Sequence, residues 1–135
     1  MTGLEGVAVL LDGRPDVRLA YVFGSVAAGR ARRDSDLDVA VLFAEPPVPA
    51  TLDLLAEELE AAAGGPIDLV NLGTAPPLLM HEIIRVGRCI VSRDAAERAE
   101  FEARSTLRYL DTAHLRAIQA QYLRERAEAH RGDPG

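Results

Sequence analysis

The chain has 135 residues, 21 acidic side chains against 15 basic ones, and a net charge of −6. Its length suits one compact domain, its 48% hydrophobic residues suffice for a core rather than a disordered chain, and its acidity argues against a general nucleic-acid binder. Every basic residue is Arg and none is Lys, which excludes a P-loop and a Schiff-base mechanism, and the lone Cys89 excludes an internal disulfide framework or cysteine-rich zinc site.

No apolar run approaches the roughly 18 residues of a membrane span. Met1–Gly13 lacks the basic start of a signal peptide, so the expected setting is the cytoplasm, with no membrane partner. Leu4, Val7, Leu10 and Leu11 recur at helical spacing and predict an opening helix, ended by Gly13 and Pro15. Leu19–Phe23 reads as a buried strand, broken by Gly24-Ser25, where Ser25 can cap a short helical turn through Ala28. Asp36–Phe43 alternates carboxylates with Leu37, Val39 and Val41, as a strand does. Pro46, Pro47 and Pro49 form a stiff loop, and Thr51 is expected to cap a helix over Leu52–Ala63 that Gly64-Gly65-Pro66 stops. Ile67–Asn71 is a third strand, Leu78–Val86 a helix stopped by Gly87, and Arg88–Ser92 a short fourth strand. From Asp94 to about Ala129 the pattern stays helical, with a bend expected near Ser105-Thr106 or Asp111, and Gly132–Gly135 should fray. This order predicts an α/β (α+β) layer fold: a small sheet flanked by helices, a single domain over residues 1–135, and a long C-terminal helix.

The segment Tyr21–Phe43 carries the chemistry. A strand runs into Gly24-Ser25, and ten residues later Asp36-Leu37-Asp38 opens the next strand. Asp36 and Asp38 are two apart on a strand, so both carboxylates face the same way. Like charges that close are costly unless a cation lies between them, and Mg²⁺ commonly takes one or two carboxylates together with substrate phosphates. Gly24 lets a ligand approach the backbone, and amides that follow a strand and open a helix favour an anion. Ser25 adds a hydroxyl. A phosphate cradle beside a carboxylate pair reads as a nucleoside triphosphate site. If Ile67–Asn71 neighbours Asp36–Phe43, Asp68 completes a three-carboxylate centre for two Mg²⁺ ions.

Gly24-Ser25, ten residues, Asp36-x-Asp38 and a later Asp68 resemble the polymerase-beta-like nucleotidyltransferase superfamily. Gly29 and Ser35 fit its Gly-Ser-x-x-x-Gly opening and its Ser before the first Asp. Leu79–Gly87, the short strand after it and Glu97–Asp111 look like the minimal nucleotidyltransferase (MNT) antitoxins paired with HEPN ribonuclease toxins. That resemblance implies transfer of AMP from ATP, with Mg²⁺ and release of pyrophosphate, to a tyrosine hydroxyl of a HEPN toxin partner. It implies that Asp36, Asp38 and Asp68 hold metal and act in catalysis, and that Gly24 and Ser25 hold the phosphates. Two alternatives stand beside it: an antitoxin that neutralises by contact alone, and a small-molecule nucleotidyltransferase of the aminoglycoside-modifying type.

Other features are weighed against plainer readings. Arg30, Arg32 and Arg33 lie between the two halves of the motif; they either neutralise a triphosphate or balance Asp34, Asp36 and Asp38, and Arg33 is carried as a nucleotide-binding candidate. His81-Glu82-Ile83-Ile84-Arg85 nearly spells a zincin motif, but Arg85 replaces the second His, so a metal site is rejected. Arg108 and His114 mimic the Arg-x(4–6)-His pattern of HEPN domains and are read as a surface Arg and a half-buried His. Cys89 is read as an inert core residue. Leu107, Leu110, His114, Ala117, Ile118 and Gln121 make one stripe of the last helix. It either covers the sheet or, over Leu115–Leu123 within segment 94–130, offers a docking surface for another protein.

Overall fold

The computed structural model describes residues 3–24 and 37–131. In chain order the elements are α1 (Gly3–Asp12), β1 (Val17–Phe23), β2 (Leu37–Phe43), α2 (Pro49–Ala63), β3 (Ile67–Asn71), α3 (Pro77–Val86), β4 (Arg88–Ser92), α4 (Ala95–Asp111) and α5 (Ala113–Arg131). The four strands form one mixed sheet in the order β3-β2-β1-β4. β1 runs antiparallel to both β2 and β4, and β2 runs parallel to β3. A parallel pair needs a crossover, and α2 supplies it.

Strand alternation sorts side chains into two layers. Val39, Val41 and Phe43 of β2 join Val17, Ala20 and Val22 of β1 beneath α1 and α2, against Val7, Leu11, Leu55 and Leu59. A bulge between Val17 and Leu19 turns Val17 to that same side. Leu19, Tyr21 and Ala40 face the opposite way, under α3 and α4, with Met80 and Ile83. Each fully buried Val or Leu contributes roughly 1.5–3 kcal/mol. The two N-terminal helices pack closely because α1 has no side chain at the contact: a Cβ on Gly6 would lie 2.6 Å from the Ala62 carbonyl oxygen.

Arg93, just past β4, ties the lower edge together. Its guanidinium donates to the carbonyls of Leu11, Asp12, Arg14 and Val17 at 2.8–3.2 Å and to the Asp12 carboxylate at 3.1 Å. α1 carries no basic residue in its own last turn. Arg93 therefore supplies from across the fold the cation that a helix C-terminus favours.

Most predicted elements stand, with corrections at Thr51, in the C-terminal helix and at His114, and with one of the two readings of the Leu107–Gln121 stripe excluded. Thr51 does not cap α2: the helix starts at Pro49, Val48 is the N-cap with no side-chain bond, and the Val48 carbonyl takes the Thr51 and Leu52 amides. Proline at the first helical position has no amide to lose there, so it starts the helix three residues early. The C-terminal helix is two helices: it runs on through Ser105-Thr106 and breaks at Thr112, beside Asp111, the second of the two places where a bend is expected. At the break the Thr112 hydroxyl donates to the Arg108 and Tyr109 carbonyls, and Arg116 donates to the Tyr109 carbonyl and the Thr112 hydroxyl. These bonds absorb the carbonyls that the helix end frees. The Leu107–Gln121 stripe does not cover the sheet, since Leu107, Leu110 and Ile118 are all at least half exposed. His114 is exposed, not half-buried. α4 instead meets the sheet through Phe101, Glu102 and Ser105, whose hydroxyl donates to the Phe101 carbonyl beside Met80. The short turn expected over Ser25–Ala28 and the fraying Gly132–Gly135 lie outside the described residues.

Candidate active site

The sheet end formed by the close of β1 and the starts of β2 and β3 gathers the predicted site residues that the structure describes. β1 ends at Phe23, which pairs with Asp38, and the parallel β2–β3 register sets Asp38 directly beside Asp68. Paired residues of neighbouring strands project to the same face. Asp38 shares its side of β2 with Ala40 and Leu42, and Asp68 shares its side of β3 with Val70, so both carboxylates rise on the α3 face. Asp38 is half-buried and Asp68 exposed. The condition that β3 neighbour β2 is thus met.

Gly24 follows Phe23 with φ +85°, in the left-handed region that glycine enters without penalty. A Cβ there would run into the Asp38 carboxylate. The missing side chain therefore lets the turn backbone lie against Asp38. Gly24, Asp38 and Asp68 come together from three strands. Ser25, Arg33 and Asp36 lie outside the described residues, as do Gly29, Arg30, Arg32 and Ser35. Among the described residues no group of three or more His, Cys, Asp or Glu side chains converges. Two carboxylates in register on adjacent strands form an all-oxygen, doubly anionic donor set, which fits a hard divalent cation such as Mg²⁺.

The layer behind these carboxylates is locked by groups that sequence reasoning passed over. Tyr21 pairs with Ala40, one side-chain step along the same face from Asp38. Its hydroxyl donates to Glu102 at 2.9 Å, and Arg98 donates to the same carboxylate oxygen at 2.9 Å. Burial first, and the Glu102 bond second, push the Tyr21 phenol well above its ordinary value, so it stays protonated. The i,i+4 spacing of Arg98 and Glu102 on a predicted helix was the available signal, but it did not point to Tyr21. Cys89, beside Tyr21 on β4, donates to the Val91 carbonyl, and burial raises its thiol, in keeping with an inert core residue.

The remaining candidates fall elsewhere. His81 stacks on Tyr109 at 3.7 Å between ring centroids, and Glu82 is held by Arg85 at 2.9 Å, which also keeps the Glu82 carboxyl below its usual range. Two clefts bounded by described residues, one lined by Leu42–Pro47 with Asn71, Gly73 and Thr74, the other by Asp16 and Phe43–Val48, open at the opposite end of the sheet. No helix among the described residues is long and apolar enough to cross a membrane.

Residues 5–96 match the family model for the polymerase beta nucleotidyltransferase domain. Over 133 residues the chain is 30% identical to the protein adenylyltransferase MntA of Shewanella oneidensis, covering 94% of this chain and 92% of that relative. A crystal structure of a toxin-antitoxin with AMP-PNP superposes with a TM-score of 0.78 at 27% identity, over 91% of this chain and 99% of that one. The fold is shared as well with the structure of a tri-AMPylated Shewanella oneidensis HEPN toxin in complex with MNT antitoxin, at TM-score 0.72 and 24% identity over 90% and 99% of the two chains.

Proposed function

The chain belongs to the polymerase beta nucleotidyltransferase family, and from that premise we propose that it transfers the AMP moiety of ATP to a tyrosine hydroxyl of a partner protein, a HEPN ribonuclease toxin, releasing pyrophosphate. The observation that carries this reading is the in-register pair Asp38–Asp68 against the left-handed turn at Gly24. The MntA relative supports it through its adenylyltransferase name, and a solved neighbour through the ATP analogue it holds.

Each residue has a defined task in this reading. Asp36, Asp38 and Asp68 would hold Mg²⁺, which when bound offsets phosphate charge and favours the ionised form of an attacking hydroxyl. Gly24 and Ser25 present the backbone amides and hydroxyl that follow β1 to the β- and γ-phosphates. Arg33 meets the charge of the triphosphate, a task that falls to arginine in a chain without lysine. Tyr21, Glu102 and Arg98 keep β1 and α4 from shifting, so the carboxylates stay in place. The acceptor hydroxyl attacks the α-phosphorus in line with departing pyrophosphate.

Residues 1–135 act as one catalytic unit in this proposal, in the cytoplasm, with segment 94–130 as the partner's docking surface. α5 has no buried residue among those described, and Leu115, Ile118 and Leu123 are 50–64% exposed. Large apolar patches of this kind mark contact sites. The same surface favours a second reading, neutralisation by contact alone. Incubating the chain with α-labelled ATP, Mg²⁺ and the protein encoded by the adjacent gene separates the two. Label on a tyrosine of that protein, lost with Asp38→Asn, is the expected result. Full neutralisation by Asp38→Asn in a complex that takes up no label would replace the catalytic reading with the contact one.

A further inference from the structure

The chain has three tyrosines, and only one of them is more exposed than covered. Tyr21 is 1% exposed and donates to Glu102. Tyr109 is packed on both faces, by His81 at 3.7 Å and by the Arg116 guanidinium at 3.9 Å from its ring centroid. Tyr122 is 56% exposed, midway along α5. Its hydroxyl accepts a hydrogen bond from Arg126 at 3.4 Å, and the same guanidinium lies 5.8 Å from the ring centroid.

We propose that Tyr122 is itself an AMP acceptor, modified by a second copy of this chain. The inference rests on the adenylyl-transfer reading above and extends it to a substrate that the chain carries. An acceptor phenol must be reachable, must stand on an element that another molecule's site can receive, and must tolerate a phosphodiester once made. Tyr122 meets the first two by its exposure on a helix with no buried residue among those described. Arg126 meets the third, because a guanidinium beside the phenol can pair with the new anionic phosphate oxygens.

The attachment of α5 favours transfer between copies. The start of α5 sits beside Pro76, Pro77 and Leu78, where Leu115 and Arg116 share a cleft with them. That is the beginning of α3, which follows the end of β3 remote from Asp68. The start of α5 is thus held at the end of the sheet away from that molecule's own carboxylates, and the exposed Tyr122 further along the helix is open to the site of another copy. In the step, the Tyr122 hydroxyl oxygen attacks the α-phosphorus of ATP held by that copy. A phosphorus–oxygen bond to the phenol forms, and the bond from the α-phosphorus to the oxygen bridging to the β-phosphate breaks. Pyrophosphate leaves with the electron pair, and the phenolic proton passes to water. α5 then carries one more negative charge against its four arginines and two glutamates.

The test incubates the full chain with α-labelled ATP and Mg²⁺, then maps the labelled peptide. The expected result is label on Tyr122 at a rate that rises with the square of protein concentration, and its loss in Tyr122→Phe. In a mixture, Tyr122→Phe as donor should label Asp38→Asn as acceptor, while Asp38→Asn alone stays unlabelled. Peptide mapping of the unaltered chain decides the site independently of how either variant folds. Label on the adjacent-gene protein with none on Tyr122, or self-labelling that persists in Tyr122→Phe, would overturn this inference and leave the parent reading standing. No label on either protein and no pyrophosphate would overturn both.

Discussion

The two ends of the sheet treat charge in opposite ways. At the end where β4 finishes, a single cation, Arg93, meets four carbonyls and one carboxylate, and each donor finds an acceptor within 3.2 Å. At the end where β2 and β3 begin, two carboxylates are placed side by side in register. The first arrangement lowers the energy of the folded chain. The second sets like charges directly opposite on neighbouring strands, an arrangement that repels unless a cation offsets it. A fold keeps an unfavourable pairing of this kind where it binds something the unfolded chain cannot. The contrast separates residues that hold the protein together from residues that the fold holds in place.

Substitutions at the two ends should therefore move different observables. The largest effect expected is on chemistry: Asp38→Asn should lower AMP transfer at least about a hundredfold, because a lost anionic ligand forfeits several kcal/mol of transition-state stabilisation. Labelled-ATP transfer measures that loss, and urea unfolding of the same variant should show stability changed by no more than about 1 kcal/mol in either direction. A variant that unfolds instead would erase the distinction between the ends. Arg93→Ala comes next, in the opposite sense. It leaves part-buried carbonyls at the α1–β1 turn without their donor and should cost about 2–3 kcal/mol of unfolding free energy in urea, with transfer intact well below the melting temperature. Arg93→Lys should recover little, since one ammonium cannot reproduce the guanidinium fork.

A smaller effect is expected where the α1 and α2 backbones meet. Gly6→Ala would force a methyl group towards the Ala62 carbonyl, and overpacking of this kind costs about 1–3 kcal/mol. The resulting drop in melting temperature should leave ATP binding unchanged once the folded fraction is counted. The smallest concerns pH. Arg14 bonds both oxygens of Asp16 at 2.9–3.1 Å and holds that carboxyl below its ordinary value. A lowered folded-state value means that the pair stabilises above the unfolded carboxylate value and ceases to do so as pH falls through the folded one. Asp16 is 43% exposed, so Asp16→Asn should cost under about 1 kcal/mol at neutral pH. Below the folded-state value, unfolding curves of the variant and the parent chain should coincide.

How much of this was legible in the sequence depended on how local its causes were. β3 and β4 occupy the spans read from the chain, because Gly64-Gly65-Pro66 and Gly87 mark where they begin. The neighbour relation between Asp38 and Asp68 was legible only as a condition: an apolar run, a helix and a second apolar run allow a parallel crossover, and the register of β2 and β3 meets it. The break at Thr112 was legible only as one of two places for a bend, beside Asp111, because residues on both sides of it are good helix formers. What ends α4 is a set of bonds among Tyr109, Thr112 and Arg116 that composition does not encode. Arg93 was passed over because its partners lie 76 to 82 residues earlier. The exposure of the α5 stripe likewise depends on where α4 leaves the sheet, a tertiary fact.

The parallel register of β2 and β3 carries one more implication, for quality control. Side chains on a strand change face at every residue, so a slip of one position would turn Asp68 under α1 and α2 and lift Ile67 or Leu69 out of that layer. The error would strand a carboxylate in an apolar core and break the Asp38–Asp68 pair in the same stroke. Misfolded copies of this kind would be inactive as well as unstable. Selection on catalysis alone would then suffice to keep the length of α2 and its two flanking loops fixed, because those residues act as the ruler that sets the register.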